Sequence, residues 1–347
     1  MALLVDCDTG IDDSLALLYA AASPECELVA VTCTAGNVDA RQVAENTRAV
    51  LALAGRSDVE VALGRDRPLA RALVTTPETH GPRGIGYAEL PPAHAPLSAR
   101  FGPDLIVEEA RRRPGELTLV TLAPLTNVAL AVLREPRLPA LLRGVVIMGG
   151  SYRSSGNTAP TTEWNVNVDP EAAKIVFEAF GIEGPDGRPN RPVALGLDVT
   201  ERAKMLPEHL ARLAALAGCR PDGSIVAARA GDAAPVNPVV RYVADALRFY
   251  MEFHSRYDHF YGAFIHDALA LAAALDPSLV RTEPVTVDVE LGGRLTTGET
   301  VTDWRRVWGR PPNVDVAVEA NVALFFERFV ERIGRLAEAR GGLAATR

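Results

Sequence analysis

The sequence predicts an α/β domain in which helices flank a mostly parallel central sheet. Short runs of apolar and β-branched residues alternate with longer segments of helical periodicity, the order typical of βαβ units. The apolar runs are continuous, and strands of that kind are buried on both faces. Hydrophobic residues make up 48% of the 347 residues, which is enough for one large core. We expect a single domain over residues 1–339 and a disordered tail over residues 340–347.

The individual elements follow from the same patterns. The predicted strands cover residues 3–5, 28–32, 59–62, 117–121, 145–148 and 192–197. The predicted helices between them include residues 14–22, 39–53 and 127–133. Stretches rich in Gly, Pro or Arg predict surface loops at residues 64–100, 184–191 and 218–238. In a parallel sheet, ligands bind at the carboxyl ends of the strands, so the chemistry is expected directly after each strand.

Composition and charge exclude several classes of protein. The chain has 36 Lys and Arg against 44 Asp and Glu, for a formal net charge of −8, which argues against nucleic acid as a partner. The four cysteines lack a CxxC spacing, which favours a reduced, cytoplasmic protein over a disulfide framework. We expect neither a signal peptide nor a membrane span, because no uncharged stretch approaches the roughly 20 residues that a span needs.

Four carboxylates lie within eight positions directly after the first predicted strand. They are Asp6, Asp8, Asp12 and Asp13, and Gly10 permits a tight turn among them. Capping of the next helix explains one or two acidic residues there. It does not explain four, since each gains only about 0.3–1 kcal/mol from the helix dipole. A hard divalent cation with oxygen ligands would resolve their mutual repulsion, so the pattern predicts a metal or catalytic site.

These carboxylates belong to a series of motifs that resembles the nucleoside hydrolases of the inosine–uridine-preferring type. Any one motif is weak, but they follow the family's order and extend from residue 5 to about residue 330, so the resemblance covers nearly the whole chain. The motifs are Val5-Asp6-Cys7-Asp8-Thr9-Gly10-Ile11-Asp12-Asp13, Gly36-Asn37, Leu125-Thr126-Asn127, Met148-Gly149-Gly150, Asn157, Glu163-Trp164-Asn165, Asp169-Pro170-Glu171-Ala172-Ala173 and His266-Asp267.

The resemblance implies a single Rossmann-like α/β domain that hydrolyses the N-glycosidic bond of ribonucleosides to ribose and free base, in purine or pyrimidine salvage. It also implies one calcium ion per subunit. By resemblance, the side chains of Asp8, Asp13 and Asp267 and the backbone carbonyl of Leu122 bind calcium, and Asp8 is also the general base. Members of this family are commonly dimers or tetramers, so we expect a homo-oligomer.

The resemblance also assigns residues to the nucleoside. His266, next to Asp267, would protonate the leaving base, and His80 would border the base in a mobile loop. A histidine at position 266 favours the inosine–uridine or pyrimidine-type branch. The sugar contacts would be Asp12, Asn37 and Asn165 on the ribose hydroxyls, Asn157 and Glu163 on the 5′ hydroxyl, and Met148 beneath the ring.

Aromatic residues are dense just before His266. A helical stripe of this kind is more often core than ligand contact, yet its density also fits the cover of a planar base. We expect Trp304 and Trp308 to be structural. The aromatic stretch contains Tyr250, Phe253, His254, Tyr257, His259, Phe260 and Tyr261.

Other functions are compatible with parts of the pattern. Asp6-Cys7-Asp8 also fits a magnesium-dependent phosphatase of the haloacid dehalogenase type, but the only lysines, Lys174 and Lys204, lie in amphipathic helical patterns. A non-catalytic calcium-dependent binder of nucleosides or ribose would have the same site. Phosphorolysis is a third alternative to hydrolysis, but no basic phosphate cradle accompanies the motifs.

Overall fold

The structure is a computed structural model that describes residues 1–184, 186–219 and 237–344, with side chains described as far as residue 341. Its main sheet has eight strands in the order β3-β2-β1-β4-β5-β6-β12-β9. All neighbouring pairs are parallel except β12 and β9, which are antiparallel. The predicted α/β class with a mostly parallel sheet is therefore confirmed.

The strands of the described residues fall into this sheet and two small antiparallel ribbons, β7-β8 and β10-β11. They are β1 (Ala2–Cys7), β2 (Glu27–Cys33), β3 (Glu60–Leu63), β4 (Leu117–Thr121), β5 (Gly144–Met148), β6 (Val193–Leu195), β7 (Lys204–Met205), β8 (Ala263–Phe264), β9 (Val280–Val285), β10 (Val287–Val289), β11 (Thr300–Thr302) and β12 (Val314–Ala320).

The helices connect these strands and cover both faces of the main sheet. They are α1 (Ile11–Ala22), α2 (Ala40–Leu53), α3 (Pro77–His80), α4 (Gly102–Arg112), α5 (Thr126–Arg134), α6 (Leu138–Leu141), α7 (Trp164–Val168), α8 (Pro170–Ala179), α9 (Leu197–Thr200), α10 (Pro207–Leu216), α11 (Pro238–Tyr257), α12 (His266–Leu275) and α13 (Val322–Ala344), with a 3₁₀ turn at Pro277–Leu279.

Two predicted boundaries differ from the structure for local reasons. The strand predicted at 192–197 ends at Leu195, because Gly196 becomes the N-cap residue of α9. The tail predicted from residue 340 instead continues α13 to Ala344. Arg340 Nε there donates a hydrogen bond to the carbonyl of Leu53 over 3.1 Å, which ties this end of the helix to α2. Most of the loop predicted at 218–238 lies outside the described residues.

The topology places a crevice at the end of β1. From β1 the chain builds the sheet outward through β2 and β3, and it later returns to the other side of β1 to add β4, β5 and β6. Loops after β1 and β4 therefore leave the sheet on opposite sides of this switch point, where open α/β sheets bind ligands. The acidic segment after β1 and Leu122 after β4 flank that crevice.

Two apolar clusters fill the space between the sheet and its helices. One contains α1, α11, α12 and α13, and the other contains α4, α5 and α8. Helix α1 is buried along most of its length, which fixes its N-terminus against the end of β1. Among the described residues, no helix combines the length and apolar character needed to cross a lipid bilayer.

Candidate active site

A cavity of about 550 Å³ opens at the carboxyl ends of the central strands. It gathers side chains from the loops after β2, β4 and β5, and from α1, α3, α7, α11 and α12. Asp8 and Asp13 are fully buried beside it. The sequence-predicted residues that line the cavity are Asp12, Asn37, His80, Leu122, Met148, Asn157, Glu163, Asn165, His266 and Asp267.

Three carboxylates meet at one edge of the cavity. Oxygen atoms of Asp12, Asp13 and Asp267 all lie within 4.8 Å of one another. Asp8 joins them through Asp13, whose Oδ1 accepts the backbone N–H of Asp8 over 3.2 Å. The structure thus brings together the predicted ligands Asp8, Asp13 and Asp267, and it places Asp12, predicted for the ribose, among them.

Burial and repulsion act on the protonation of these groups. Burial, followed by the charge of Asp13, raises the pKa of Asp12 to about 8. The same two causes raise the pKa of Asp8 well above its usual range. Burial, followed by the charges of Asp12 and Asp13, does so for Asp267. So many buried carboxylates are costly unless a positive charge compensates them.

The donor set fits a hard divalent cation. Asp8 Oδ1 is buried and has no hydrogen-bond partner among the described residues, while Asp8 Oδ2 accepts the backbone N–H of Asn37 over 2.7 Å. Asn37 Oδ1 is also buried without a partner. The nearby Leu122 carbonyl lines the same cavity. Carboxylate, amide and carbonyl oxygens are the ligands that calcium prefers.

Helix capping accounts for part of this acidic cluster. Gly10 is the N-cap residue of α1, and Asp13 Oδ2 accepts its backbone N–H over 2.8 Å. A side chain at position 10 would also meet Asn37 Nδ2 at 2.6 Å and His80 Nδ1 at 2.8 Å, so glycine lets both groups approach. Capping of α1 therefore explains Asp13, and it does not explain Asp8 or Asp267.

Asp6 has a different place from the other three acids after β1. Its Oδ1 accepts hydrogen bonds from Thr32 Oγ1 over 2.5 Å and from Asn127 Nδ2 over 2.8 Å. Asn127 Oδ1 in turn accepts the backbone N–H of Arg65 over 2.8 Å. Burial raises the pKa of Asp6 to about 7. Asp6 thus links β1 to β2 and to α5.

The predicted sugar-binding residues form a second group, held largely by backbone contacts. Asn165 Nδ2 donates to the carbonyls of Leu122 over 3.0 Å and Met148 over 3.2 Å. Glu163 is the N-cap residue of α7, and its carboxylate accepts three backbone N–H groups, from Gly150, Asn165 and Val166. Glu163 therefore retains little accepting capacity beyond its capping role.

Three histidines also line the cavity. His80 Nδ1 accepts the backbone N–H of Ile11 over 3.2 Å, so its proton is on Nε2. His266 Nδ1 is 2.8 Å from Thr200 Oγ1. Burial, with smaller effects from neighbouring histidines, lowers the pKa of both His80 and His266 to about 3. The third histidine, His254, forms a 2.7 Å hydrogen bond from Nδ1 to Asp258 Oδ2.

Aromatic rings connect these histidines into one wall. Ring centroids lie 5.3 Å apart for His80 and Tyr250, 4.6 Å for Tyr250 and His254, and 4.8 Å for His254 and Phe264. Of the predicted aromatic stretch, Tyr250, Phe253, His254 and Tyr257 line the cavity. Trp304 lies elsewhere, with its Nε1 donating to the carbonyl of Tyr152 over 3.0 Å.

Sequence reasoning assigned no role to several cavity residues. Glu201 and Asp258 line the cavity, as does Trp164, whose buried Nε1 has no partner among the described residues. The spacing of His254 and Asp258, four residues apart in a helical pattern, was the available signal for their contact. Glu201 follows the short helix α9, which the sequence pattern did not predict.

The family model described as inosine-uridine preferring nucleoside hydrolase matches residues 3–327. The chain therefore belongs to the nucleoside hydrolase family and is an N-glycosidase, as the motifs after β1 and at the start of α12 predicted.

Similar proteins differ in the base that their names specify. The chain is 37% identical over 333 residues to the pyrimidine-specific ribonucleoside hydrolase RihA of Salmonella newport (strain SL254), covering 95% of this chain and 97% of that protein. It is 36% identical over 342 residues to the inosine-uridine preferring nucleoside hydrolase of Leishmania major, with 96% and 98% covered.

Solved structures give the same result for the fold. A purine-preferring ribonucleoside hydrolase from Gardnerella vaginalis superposes with a TM-score of 0.85 at 30% identity, covering 98% of this chain and 100% of that one. The plant nucleoside hydrolase PpNRh1 superposes with a TM-score of 0.83 at 28% identity, with 96% and 98% covered.

Proposed function

We propose that this chain uses calcium to hydrolyse the N-glycosidic bond of purine or pyrimidine ribonucleosides, of the inosine–uridine type, to ribose and free base. The observation that carries the proposal is the set of buried acids Asp8, Asp12, Asp13 and Asp267 beside one cavity, with Asp8 Oδ1 unpartnered among the described residues. Asp8, Asp13, Asp267 and the Leu122 carbonyl would hold the ion. When bound, calcium supplies a coordination site for water and for vicinal hydroxyls.

Asp8 is the general base of this proposal. It takes a proton from the attacking water, and the free Oδ1 is the atom available for it. The other oxygen is held by the backbone of Asn37, which fixes the orientation of the carboxylate. The charges of Asp12 and Asp13 favour the positive character that the ribosyl ring develops as the bond to the base breaks.

The sugar is oriented by groups that the backbone holds in place. Asp12, Asn37 and Asn165 bind the ribose hydroxyls, and Met148 packs beneath the ring. Asn157 Oδ1 accepts the backbone N–H of Trp164 over 3.0 Å, which leaves its Nδ2 to donate to the 5′ hydroxyl in this proposal. The Glu163 carboxylate, which already accepts three backbone N–H groups, accepts one further hydrogen bond, from the same hydroxyl. Fixing the sugar in this way converts binding energy into orientation of the reacting atoms.

His266 assists the departure of the base, and His80 borders it. Both histidines line the cavity, and each ring contacts an aromatic side chain, Tyr250 for His80 and Phe264 for His266. His266→Ala should reduce turnover most for nucleosides with poor leaving groups. An equal loss on 4-nitrophenyl riboside, whose leaving group departs without a proton, would remove His266 from this role.

Products distinguish hydrolysis from the alternatives. Uridine, cytidine, inosine and adenosine are incubated with the protein and calcium, and ribose and free base are followed. Release of both without phosphate supports hydrolysis. A requirement for phosphate with release of ribose 1-phosphate would support phosphorolysis, and nucleoside binding without turnover would support a binding protein. A phosphatase reading is disfavoured, because Lys174 pairs with Glu178 and Asp288 away from the cavity.

We also propose that the protein is a homo-oligomer, either a dimer or a tetramer, and that it is located in the cytoplasm. It is supported by the family resemblance and by the lack of CxxC pairs in the sequence. Light scattering of the purified protein tests the oligomeric state, and a mass equal to the 37.0 kDa chain would contradict it.

A further inference from the structure

The cavity is more acidic than the binding of one cation and a neutral sugar requires. Six carboxylates line it, and none of its described lining residues is a lysine or an arginine. Two of the six belong to the cation site, and a third, Glu163, caps α7. The remaining three, which have no role in the binding of a neutral nucleoside, are Glu78, Glu201 and Asp258.

Glu201 and Asp258 form an acidic pair in this cavity. Glu201 follows α9, and Asp258 is the C-cap residue of α11. Burial, followed by the charges of Asp258 and Asp198, raises the pKa of Glu201, and Lys204 acts in the opposite direction. Among the described residues, no hydrogen bond to the Glu201 carboxylate offsets this repulsion. A positive charge on a ligand in the cavity would relieve it.

Aromatic rings line the same cavity. Phe264 is one of them, and the others are Tyr250, Phe253 and Tyr257 on α11. The Nζ atom of Lys204, which does not line the cavity, lies 5.6 Å from the ring centroid of Phe264. Aromatic faces attract cations, and the attraction grows where water is excluded. Carboxylates together with these rings therefore favour a planar base that carries a positive charge.

His254 adds a hydrogen-bond acceptor to these groups. It is 4% exposed, and its Nδ1 lies 2.7 Å from Asp258 Oδ2, so Nδ1 donates to the carboxylate. Burial lowers the pKa of His254, so the imidazole is neutral at pH 7 and its Nε2 carries a lone pair. That Nε2 is buried and has no hydrogen-bond partner among the described residues. In a ligand cavity, such an acceptor is typically satisfied by a donor on the ligand.

We propose that the cavity also accepts ribosides whose base is a positively charged heteroaromatic ring with an N–H donor, such as the pyridinium carboxamide of nicotinamide riboside. This inference rests on the proposed hydrolysis and adds a class of substrate to it. Glu201 and Asp258 attract the charge of the base, and the aromatic side chains contact its ring. His254 Nε2 accepts a hydrogen bond from the carboxamide N–H.

Hydrolysis of such a riboside needs no proton donor for the base. Water adds to C1′ and gives one proton to Asp8, while the bond from C1′ to the ring nitrogen breaks. The electron pair of that bond returns to the ring, which leaves as a neutral molecule. The base thus loses its charge as the bond breaks, so Glu201 and Asp258 stabilise the bound substrate more than the transition state. Their effect is therefore expected in KM.

Removal of one carboxylate charge tests the proposal. The full chain with calcium is incubated with nicotinamide riboside or uridine, and free nicotinamide or uracil is quantified. In Glu201→Gln, we expect the ratio of the KM for nicotinamide riboside to the KM for uridine to rise about tenfold. Asp258→Asn should change the ratio in the same direction. Glu208→Gln is the matched control and should leave the ratio unchanged, because Glu208 is exposed on α10 and does not line the cavity.

Nicotinic acid riboside provides a matched control substrate. It has the same pyridinium ring, but a carboxylate replaces the carboxamide. That carboxylate is repelled by Glu201 and Asp258, and it has no N–H to donate to His254. For the wild type, we expect its KM to be about tenfold or more above the KM for nicotinamide riboside. The difference should shrink in Glu201→Gln.

The outcomes separate this inference from the hydrolase function. A wild-type protein that cleaves uridine but releases no nicotinamide would overturn this inference alone. So would equal KM values for the two pyridinium ribosides, or a KM ratio that both Glu201→Gln and Asp258→Asn leave unchanged. A wild-type protein that cleaves none of these ribosides would overturn the hydrolase function and this inference together.

Discussion

The backbone N–H of Asn37 donates to Asp8 Oδ2 over 2.7 Å, which joins the loop after β2 to the carboxylate after β1. The contact holds one oxygen of Asp8 and leaves Oδ1 buried and unpartnered among the described residues. Gly36 makes this approach possible, since a Cβ at that position would collide with Asp8 Oδ2. The geometry of the proposed general base thus depends on a residue that has no side chain.

Gly36→Ala should therefore impair activity without removing any functional group. The added methyl displaces the Asp8 carboxylate, and we expect kcat/KM on nucleosides to fall at least 10²-fold, as expected for a displaced catalytic group. Steady-state kinetics measures this. Gly144→Ala is the matched control, because a Cβ there would meet nothing within 4 Å. Comparable losses in both variants would contradict the account.

Asp8→Ala should abolish turnover and weaken calcium binding. Removal of a general base typically costs 10²–10⁴-fold in rate, and loss of a ligand adds to it. Isothermal titration with calcium and a ribose-release assay check the two effects. Asp39→Ala serves as the control, since Asp39 caps α2 through Arg41 and Gln42 outside the cavity. A rate near that of the wild type would show that Asp8 is not the base.

Removal of calcium should lower the melting temperature. Without a cation, the buried carboxylates Asp12, Asp13 and Asp267 repel one another across less than 4.8 Å. Binding to the folded state alone stabilises by about 2.7 kcal/mol at a ligand concentration of 100 Kd. Scanning calorimetry of the EDTA-treated protein, with calcium then restored, measures the gain. A melting temperature that calcium does not change would contradict the metal site.

His209 provides a pH-dependent contribution to stability that is separate from the active site. Its Nδ1 accepts the backbone N–H of Leu206 over 3.0 Å, and its ring stacks on Phe326 at 4.3 Å. Burial lowers the pKa of His209 below the ordinary 6.5. Its contribution is therefore fully present above about pH 6.5 and is lost as pH falls through the lowered value.

The variant His209→Gln should show this difference directly. The free energy of unfolding of the wild type, followed by urea denaturation, should decline more steeply than that of the variant between pH 6.5 and acid. If the free energies of unfolding of the two proteins declined in parallel with pH, the pKa of His209 would not differ between the folded and unfolded states.

Much of the central fold was predictable because its strands are buried on both faces. The continuous apolar run that begins at Leu3 and the run that ends at Thr121 became adjacent parallel strands β1 and β4. The C-terminal pair, β12 and β9, was harder to predict, because β9 at the sheet edge contains the exposed Arg281 and the half-buried Glu283. Edge strands lack the continuous apolar signal of central ones.

The functional site, like the fold, was predictable only in part. Motif positions predicted which residues meet at the cavity, but not the division of labour among the acids after β1. Asp6 and Asp8 are two residues apart, yet Asp6 bonds to Thr32 and Asn127 and Asp8 to Asn37. Those partners lie far away in the sequence, and only the pairing of the strands brings them together.

The central claim is calcium-dependent hydrolysis with Asp8 as the base. Wild-type protein and Asp8→Ala, both treated with EDTA, are titrated with calcium in phosphate-free buffer, and ribose and free base from uridine and inosine are quantified. We predict equal amounts of ribose and base from the wild type, with a rate that rises as calcium saturates the site, and none above background from Asp8→Ala. Turnover that is independent of calcium, or equal rates for the two proteins, would contradict it.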